Sequence, residues 1–450
     1  MSELTSQRKL FGTDGIRGEA DSLLTDELVE SLGRAAVEVL GGERTRMAIL
    51  RDTRESGERI EAALARGAAG AGADVKLAGV LPTPAAPVLI EKYDLSLVAV
   101  VSASHNPFAD NGVKFFGADG LKLSDTTEAE IERVMNEPPD GSEHLGSTAE
   151  LHGAQDDYLR ALNERFAGLD LSGMRILLDT GNGATYRVAP EIMRRLGADV
   201  EVIFDRPDGR NINAGCGSTH IEALIERIQT AASEGSPFTA GFAFDGDGDR
   251  VLAVDRDGRV VDGDEMIALA ALHLRDQGRL PGDGVVVTVM TNFGFHQAMR
   301  EAGIEVAVTP VGDRYVLEAM LERDWMLGGE QSGHVIERGF VPSGDGTASA
   351  LLVLEALSAR GGELHDVVPM DKLPQTLINV RVADHSEIEG ADVIWAAVGA
   401  EQRELEGRGR VLVRPSGTEP LVRVMAEAPT ADEANVVCAR LAEIIERELG

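Results

Sequence analysis

The sequence has few cysteines and no long apolar run, and each shortage excludes a class of protein. Two cysteines, Cys216 and Cys438, lie far apart in a chain of 450 residues. They are too few for a disulfide framework or a cysteine metal cluster, which is typical of a reducing compartment. No apolar run approaches the roughly 18 residues that cross a bilayer, and the first residues contain no apolar signal segment. We therefore expect a cytoplasmic protein without a membrane partner.

Lysine is also scarce. The chain has six lysines against 76 aspartates and glutamates, and its formal net charge is −33. A surface this acidic repels nucleic acid and anionic membranes, so the sequence predicts neither as a partner. It also repels an anionic small molecule unless the binding site provides local positive charge. A salty cytoplasm and compositional drift both remain open as origins of the acidity.

The length predicts three or four domains, and an internal repeat indicates their kind. Three stretches, beginning at Arg46, Met174 and Gly284, read strand, turn, helix, glycine and strand. This repeat predicts three similar α/β domains with parallel strand pairing. From about Met370 the chain changes to short strands and an amphipathic helix over Ala431–Leu449, which predicts a smaller C-terminal α+β domain. The predicted domains are 1–152, 153–255, 256–370 and 371–450.

A serine follows one buried strand directly. The apolar run Leu97–Val101 leads into the turn Ser102-Ala103-Ser104-His105-Asn106-Pro107. Open α/β sheets bind ligands where their strands end, so the Ser104 hydroxyl is a candidate ligand-facing group. A local cap of the turn is the alternative, and this stretch alone favours neither.

Three carboxylates alternate with glycines in Asp245-Gly246-Asp247-Gly248-Asp249-Arg250, between two apolar strands. A loop of this kind can direct all three carboxylates to one hard cation and leave positions open for phosphate oxygens. A calcium EF-hand is excluded, since its twelfth position would be Arg256 in place of a glutamate. The sequence therefore predicts a magnesium site here, with a solvated acidic turn as the alternative.

Three glycine-containing segments offer groups for an anionic sugar. In Gly12–Gly18, glycines flank Arg17, which suits the presentation of a guanidinium to an anion. A surface turn with an exposed arginine is the alternative, and this segment taken alone favours it. The loop Gly329–His334 holds a carboxylate, a hydroxyl and an imidazole, a mixture that suits sugar hydroxyls. The third segment, Arg414–Arg423, holds two arginines, two hydroxyls and a glycine, which are the donors that a phosphate monoester needs. The candidate residues of these last two segments are Glu330, Ser332, His334, Arg414, Ser416, Gly417, Thr418 and Arg423.

Taken together, these segments resemble the α-D-phosphohexomutase family over essentially the whole chain. The serine, metal, sugar and phosphate segments occur in the family's order and at its approximate spacing. Four motifs resemble the family's glucosamine-phosphate enzymes more than its mannose/glucose enzymes. They are GTDGIRG (12–18), NINAGCGSTH (211–220), TPVGDRYV (309–316) and GEQSGH (329–334).

The resemblance implies four domains around one central cleft and a reversible phosphate shift between O6 and O1 of glucosamine phosphate. It implies Ser104 as the phosphorylated carrier, with Mg²⁺ bound by phospho-Ser104, Asp245, Asp247 and Asp249. A sugar 1,6-bisphosphate intermediate turns end for end, and either a bisphosphate or a kinase primes the serine. The substrate is a small phosphosugar, and a homodimer is one open possibility for the assembly.

The resemblance also implies roles for single residues. Arg17 stabilises the transferred group, and either Lys114 or His105 handles the hydroxyl proton. The remaining positions are implied to bind substrate. These are Arg250, Asp313, Arg314, Glu330, Ser332, His334, Arg414, Ser416, Gly417, Thr418 and Arg423.

Other functions remain open from sequence. A phosphomannomutase/phosphoglucomutase of the same family would use the same chemistry on another sugar. A metal-dependent serine phosphatase would pass the phosphoryl group to water, although a second phosphate-binding segment argues against it. A binding protein without activity would have little reason to retain all four segments.

Overall fold

The computed structural model describes residues 10–12, 14–42, 44–138, 145–415 and 420–450. The described residues form two compact units. The first holds the described chain up to Met290 together with Glu305–Val368. The second holds Thr291–Ile304 together with the described part of Pro369–Gly450. Within the described residues, no helix is long and apolar enough to cross a membrane.

The first sheet of the first unit has the strand order β1-β5-β4-β2-β3-β6. Strand β4 lies between a parallel partner, β2, and an antiparallel partner, β5. Apolar side chains of helices α1, α2 and α4 pack with those of the strands in one core. The elements are β1 (Ile16–Glu19), α1 (Asp26–Leu40), β2 (Arg46–Arg51), α2 (Gly57–Gly70), β3 (Asp74–Val80), α3 (Ala85–Tyr93), β4 (Leu97–Val101), β5 (Asp110–Gly117), α4 (Asp125–Met135) and β6 (Thr148–Glu150).

Helices α1 and α4 begin where a hydroxyl residue caps them. The side chains of Thr25 and Ser124 accept hydrogen bonds from the free backbone N–H groups of the first turns. Acidic residues follow each cap, which suits the positive end of the helix dipole.

The second sheet has the order β11-β10-β9-β7-β8. Strands β9 and β10 form an antiparallel hairpin whose connection is residues 245–250, hereafter the acidic loop. The elements are α5 (Ala154–Arg165), β7 (Arg175–Asp179), α6 (Val188–Arg195), β8 (Asp199–Ile203), α7 (Glu222–Ser233), β9 (Ala240–Phe244), β10 (Val251–Asp255) and β11 (Val260–Val261).

The third sheet has the order β13-β12-β14-β15. Strands β14 and β15 pair in antiparallel register, and residues 330–334 connect them. The elements in chain order are α8 (Gly263–Asp276), β12 (Gly284–Thr288), α9 (Phe293–Ala302, part of the second unit), β13 (Glu305–Thr309), α10 (Asp313–Arg323), β14 (Leu327–Gly329), β15 (Val335–Glu337), α11 (Gly346–Arg360) and α12 (Leu364–Val367).

The second unit contains an antiparallel sheet of order β16-β18-β17, with a core formed against helices α13 and α14. Its elements besides α9 are β16 (Gln375–Arg381), α13 (Asp392–Glu404), β17 (Arg410–Pro415), β18 (Leu421–Glu427) and α14 (Ala431–Leu449). The predicted closing helix has the same bounds as α14.

The predicted α/β class is confirmed. Strands β2 and β3, β7 and β8, and β12 and β13 each pair in parallel, as the three repeats require. The antiparallel sheet and long helix of the second unit match the predicted α+β texture of the C-terminal part.

Candidate active site

Ser104 lies in the loop between β4 and β5, residues 102–109, hereafter the Ser104 loop. This loop lies against the acidic loop. Ser104 donates a hydrogen bond from its Oγ to Oδ2 of Asp245 at 2.6 Å. Its φ is 50°, in the left-handed region that residues other than glycine seldom adopt. Ser102 is engaged differently, because its hydroxyl donates to Oδ2 of Asp52 at 2.6 Å and accepts from the Ser104 N–H at 2.9 Å. Of these two serines, Ser104 is the one whose hydroxyl bonds to the acidic loop.

The acidic loop brings three carboxylates together. Asp245, Asp247 and Asp249 each offer an oxygen, and these oxygens all lie within 4.8 Å of one another. All three side chains are buried, and Oδ1 of Asp247 and of Asp249 has no hydrogen-bond partner in the part of the chain described. Buried carboxylate oxygens without donors are costly unless a cation binds them. The donor set fits a hard divalent cation such as Mg²⁺.

Lys114, on β5, pairs with two of the three carboxylates. Its Nζ is 2.6 Å from Oδ2 of Asp247 and 3.6 Å from Oδ2 of Asp249. Burial opposes its charge, but the surrounding carboxylates, Asp14 foremost, outweigh burial and raise the pKa of Lys114. The ammonium group therefore stays protonated at neutral pH.

The carboxylates differ among themselves. Burial and repulsion from Asp249 and Asp247 raise the pKa of Asp245 well above its usual range. Burial and the Asp249 charge also tend to raise the pKa of Asp247. The charge and hydrogen bond of Lys114 oppose them, and the pKa of Asp247 is lowered. Asp247 is also held by Thr83, whose Oγ1 donates to Oδ2 at 2.5 Å.

Two arginines near this cluster have free donors. The Nε atoms of Arg17 and Arg250 are buried and have no hydrogen-bond partner among the described residues. Strand β1 carries Arg17, whose guanidinium pairs with Asp14. Arg250 ends the acidic loop, and its Nη1 lies 3.1 Å from Nδ1 of His105. Both arginines are placed to donate to an anion.

His105 follows Ser104 and lies beside it, with Nδ1 3.4 Å from the Ser104 Oγ. Burial lowers its pKa, and the charges of Arg250 and Arg17 lower it further. The imidazole is therefore neutral at pH 7, and the Arg250 donor directs Nδ1 to act as an acceptor.

The loop between β14 and β15 orients its three predicted residues differently. Ser332 is exposed and Glu330 is half-buried, with Oε1 accepting from the Gly312 N–H at 3.0 Å. His334 is buried, and its Nε2 accepts from the Gly344 N–H at 3.2 Å. The other ring nitrogen, Nδ1, lies 3.7 Å from Asp249. The structure thus places the imidazole beside the acidic loop.

Asp313 and Arg314 start α10 and diverge. Asp313 accepts from Lys122 Nζ at 2.5 Å. Arg314 turns to α4, where it pairs with Asp125 and, at 3.2 Å, with Glu128. Both residues and Lys122 line a cavity of about 610 Å³, which Ser104 and the acidic loop do not line.

The predicted phosphate segment lies in the second unit and is described in part. Arg414 and Arg423 are directly opposite each other on β17 and β18. The Nε of Arg423 is buried and unpartnered within the described residues. Ser416, Gly417 and Thr418 lie outside the described residues.

Several residues that contact the site were not predicted. Asp14 holds Arg17 and Lys122, while Asp52, Arg54 and Asn213 surround the Ser104 loop. Two signals could have found them. Asp52 and Arg54 follow the end of β2, the same edge of the sheet as Ser104, and Asn213 lies in the conspicuous NINAGCGSTH segment.

Comparison with known proteins identifies the family of the chain. Residues 8–140, 156–258 and 262–373 match the alpha/beta/alpha domains I, II and III of phosphoglucomutase/phosphomannomutase, and residues 377–444 match its C-terminal domain. A phosphoglucosamine mutase of Pelotomaculum thermopropionicum is 49% identical over 97% of this chain and 98% of its own length.

Solved structures share the fold. A phosphoglucomutase/phosphomannomutase family protein from Burkholderia thailandensis superposes with a TM-score of 0.80 at 23% identity, covering 98% of each chain. The N-acetylphosphoglucosamine mutase of Aspergillus fumigatus, solved in complex with GlcNAc-6P and magnesium, gives 0.69 at 19% identity, over 97% of this chain and 95% of that one. The resemblance inferred from the motifs is confirmed. The chain belongs to the phosphoglucosamine mutases of the phosphoglucomutase/phosphomannomutase family.

Proposed function

We propose that this chain interconverts glucosamine 6-phosphate and glucosamine 1-phosphate, with Ser104 as phosphoryl carrier and a 1,6-bisphosphate as intermediate. The observation that carries the proposal is the contact between Ser104 Oγ and Asp245 at 2.6 Å, beside two further carboxylates. Phosphoryl transfer needs positioning and charge neutralisation, and this cluster is suited to both. The proposal also rests on the similarity of this chain to relatives that are named phosphoglucosamine mutase.

Asp245, Asp247 and Asp249 would hold Mg²⁺ together with the phosphate of phospho-Ser104. The unpartnered Oδ1 atoms of Asp247 and Asp249 support this ligand set. When bound, the cation neutralises charge on the phosphoryl oxygens.

The chain's own cations have separate tasks. Arg17 and Arg250 donate from their free Nε–H groups to the oxygens of the transferred phosphoryl group. Lys114 stays protonated and balances the carboxylates. These fixed donors replace water around the phosphoryl group, so little reorganisation is needed during transfer.

His105 is the better candidate for accepting the sugar hydroxyl proton. Its pKa is lowered, so the ring is neutral, and its Nδ1 is 3.4 Å from the Ser104 Oγ. The Nδ1 lone pair, which accepts from Arg250 in the ligand-free protein, becomes free to take the proton when the Arg250 guanidinium turns to the phosphoryl group. Lys114 cannot accept a proton while it is charged. Proton transfer by a positioned base contributes typically about 10²–10⁴-fold to rate.

The remaining residues bind the rest of the substrate. Glu330 and Ser332 take sugar hydroxyls, and the buried His334 supports Asp249 of the acidic loop. Arg414 and Arg423, with residues 416–418, hold the phosphate that is not being transferred. A segment dedicated to a second phosphate suits a mutase, since a phosphatase has no second phosphate to hold. A sugar 1,6-bisphosphate or a kinase supplies the first phosphoryl group.

The test compares kcat/KM on glucosamine, glucose and mannose phosphates, with Mg²⁺ and a trace of glucose 1,6-bisphosphate. A preference of at least a hundredfold for glucosamine phosphate is expected. Equal or faster turnover of mannose or glucose phosphate would assign the chain to the sister activity. Phosphate release without isomerisation would indicate a phosphatase.

Matched serine variants test the carrier. Ser104→Ala should abolish isomerisation and the phosphorylated mass, whereas Ser102→Ala should retain phosphorylation, since that hydroxyl is turned to Asp52. An active Ser104→Ala protein would refute the mechanism.

A further inference from the structure

Arg54 is fully buried, and its guanidinium donates hydrogen bonds to Asp52 and to several backbone carbonyls in and next to the Ser104 loop. Its Nη2 donates to the carbonyls of Ser104 at 2.9 Å and Asn106 at 2.8 Å. Its Nη1 donates to the carbonyls of Pro107 and, at 3.0 Å, Asp110. A planar guanidinium has enough donors in fixed directions for several carbonyls, which an ammonium group does not.

Asn213, in the segment between β8 and α7, contacts the same loop. Its Nδ2 donates to the Ser104 carbonyl at 2.9 Å and to the Asn106 carbonyl at 3.2 Å. Each of these two carbonyls therefore receives one hydrogen bond from Arg54 and one from Asn213, which uses both of its lone pairs. Asn213 is buried and is itself left-handed, with φ 56°.

Asp52 completes the arrangement. Its Oδ2 accepts from Nε of Arg54 at 2.9 Å and from the Ser102 hydroxyl at 2.6 Å. The Ser102 oxygen in turn accepts from the Ser104 N–H. Both backbone polar groups of Ser104 are thus held, its N–H through Ser102 and its carbonyl by Arg54 and Asn213.

The backbone that these groups hold is unfavourable for serine. A left-handed non-glycine residue persists only where its surroundings determine it, and such residues concentrate at functional sites. Gly246 of the acidic loop lies against the same point, since a Cβ there would be 2.5 Å from the Ser104 carbonyl oxygen and 2.8 Å from Nδ2 of Asn213. Fixing this carbonyl therefore also fixes the distance between Ser104 and the acidic loop.

We propose that Arg54 and Asn213 are positioning residues for phosphoryl transfer. They hold the Ser104 and Asn106 carbonyls jointly, as a clamp, and so keep the Ser104 hydroxyl on the acidic loop. This inference rests on the proposed function. It gives the NINAGCG segment a role outside substrate binding.

The first test is Asn213→Gly in the full chain. Glycine removes both amide hydrogen bonds and tolerates the left-handed backbone. The matched control is Asp324→Gly, at another left-handed position (φ 53°) whose side chain is 83% exposed. A misplacement of about 1 Å costs roughly 10²-fold in rate. We expect Asn213→Gly to lower kcat by about 10- to 100-fold, with KM for glucosamine 6-phosphate within threefold of the parent.

A second measurement does not depend on the reaction. Amide hydrogen exchange of residues 102–110, read by mass spectrometry, should be faster in Asn213→Gly and unchanged in Asp324→Gly. Arg54→Lys keeps the charge beside Asp52 but cannot bond several carbonyls, so it should show the same faster exchange and lower kcat. It serves as the second variant if Asn213→Gly fails to fold.

The outcomes separate the two proposals. A parent protein that isomerises no sugar phosphate refutes the proposed function, while the exchange data still judge the clamp. An active parent with unchanged kcat and unchanged exchange in Asn213→Gly refutes the clamp alone. A rise in KM at constant kcat would also refute it, since that result would assign Asn213 to substrate binding.

Discussion

Arg414 and Arg423 lie directly opposite each other on antiparallel strands, two like charges in a position where sheets usually place opposite ones. Burial lowers the pKa of Arg414, and the charge of Arg423 lowers it further. Such a pair costs stability in the free protein and suits a site whose ligand brings two negative charges. Stability and binding therefore oppose each other at these residues.

This opposition predicts the behaviour of Arg423→Gln. Removing one charge should stabilise the ligand-free protein by up to about 1 kcal/mol, because like charges across strands repel. It should raise KM for glucosamine 6-phosphate at least tenfold, because a charge-assisted hydrogen bond contributes about 1.5–3 kcal/mol. Thermal unfolding and steady-state kinetics measure the two effects. Arg447→Gln, on the exposed face of α14, is the control and should change neither. Loss of stability together with unchanged KM would contradict the assignment.

Gly246 offers a steric test of the contact between the two loops. The Cβ of Gly246→Ala would meet backbone and amide atoms at 2.5 and 2.8 Å, so the loops must separate. We expect kcat to fall at least tenfold, since the reacting groups shift. Gly70→Ala is the matched control, because nothing lies within 4 Å of its Cβ, and alanine at the end of α2 should be neutral or slightly stabilising. Equal activity of the two variants would show that the loops tolerate separation.

Much of this architecture could be predicted because local patterns carry it. The apolar run of β4, the glycine-rich turns and the amphipathic stripe of α14 each depend on near neighbours in sequence. The relation of β4 to β5 was not predicted, although this antiparallel pairing places Lys114 opposite Val100 and so beside the acidic loop.

The parts that could not be predicted depend on contacts between distant residues. Asp313 and Arg314 are adjacent in sequence, but successive residues of a helix point about 100° apart. Hence one meets Lys122 and the other meets α4. His334 shares a loop with exposed Ser332, yet the chain reversal buries it against Asp249. The strand order could place Arg54 at the same edge of the sheet as Ser104, but no spacing rule connects it to particular carbonyls fifty residues away.

The acidic loop predicts a defined response to metal removal. Treatment with EDTA should abolish isomerisation, and Mg²⁺ should restore it. Asp247→Asn removes one oxygen ligand and leaves Lys114 without its closest carboxylate, so it should need at least tenfold more Mg²⁺ for half-maximal activity. Titration of activity against Mg²⁺ measures this requirement. Asp324→Asn, at an exposed side chain that pairs with Arg338, should titrate like the parent. An Asp247→Asn curve that overlays the parent's would exclude Asp247 as a ligand.

Asp345 predicts how stability depends on pH. Burial raises its pKa to about 6, against the N–H bonds it accepts at the start of α11 and the hydrogen bond from Tyr158. The folded state then binds more protons than the unfolded state between pH 3.8 and about 6, so stability falls as pH rises through this interval. The full effect is about 3 kcal/mol.

Asp345→Asn removes that titration and retains a residue that caps helices well. Relative to the parent, it should be least stable near pH 4 and gain stability up to pH 7.5. Urea midpoints at the two pH values measure the change. Asp276→Asn, at a 57% exposed side chain, should follow the parent's pH dependence. Parallel pH profiles for parent and Asp345→Asn would contradict the raised pKa.

The net charge of −33 predicts a dependence on salt. Two of the six lysines, the buried Lys114 and the half-buried Lys122, are paired with carboxylates, so they do not offset the acidic surface. Self-repulsion destabilises a compact state of high charge, and the Debye length shortens from about 30 Å at 0.01 M salt to about 3 Å at 1 M. The melting temperature should therefore rise steadily with KCl over this range, whereas sucrose of equal osmolality should give a smaller rise. A double variant, Glu322→Lys with Asp324→Lys, replaces two exposed negative charges with two positive ones. This changes the formal net charge from −33 to −29 and should flatten the dependence of the melting temperature on KCl. A melting temperature that stays constant or falls with KCl would show that repulsion among the surface carboxylates does not limit stability.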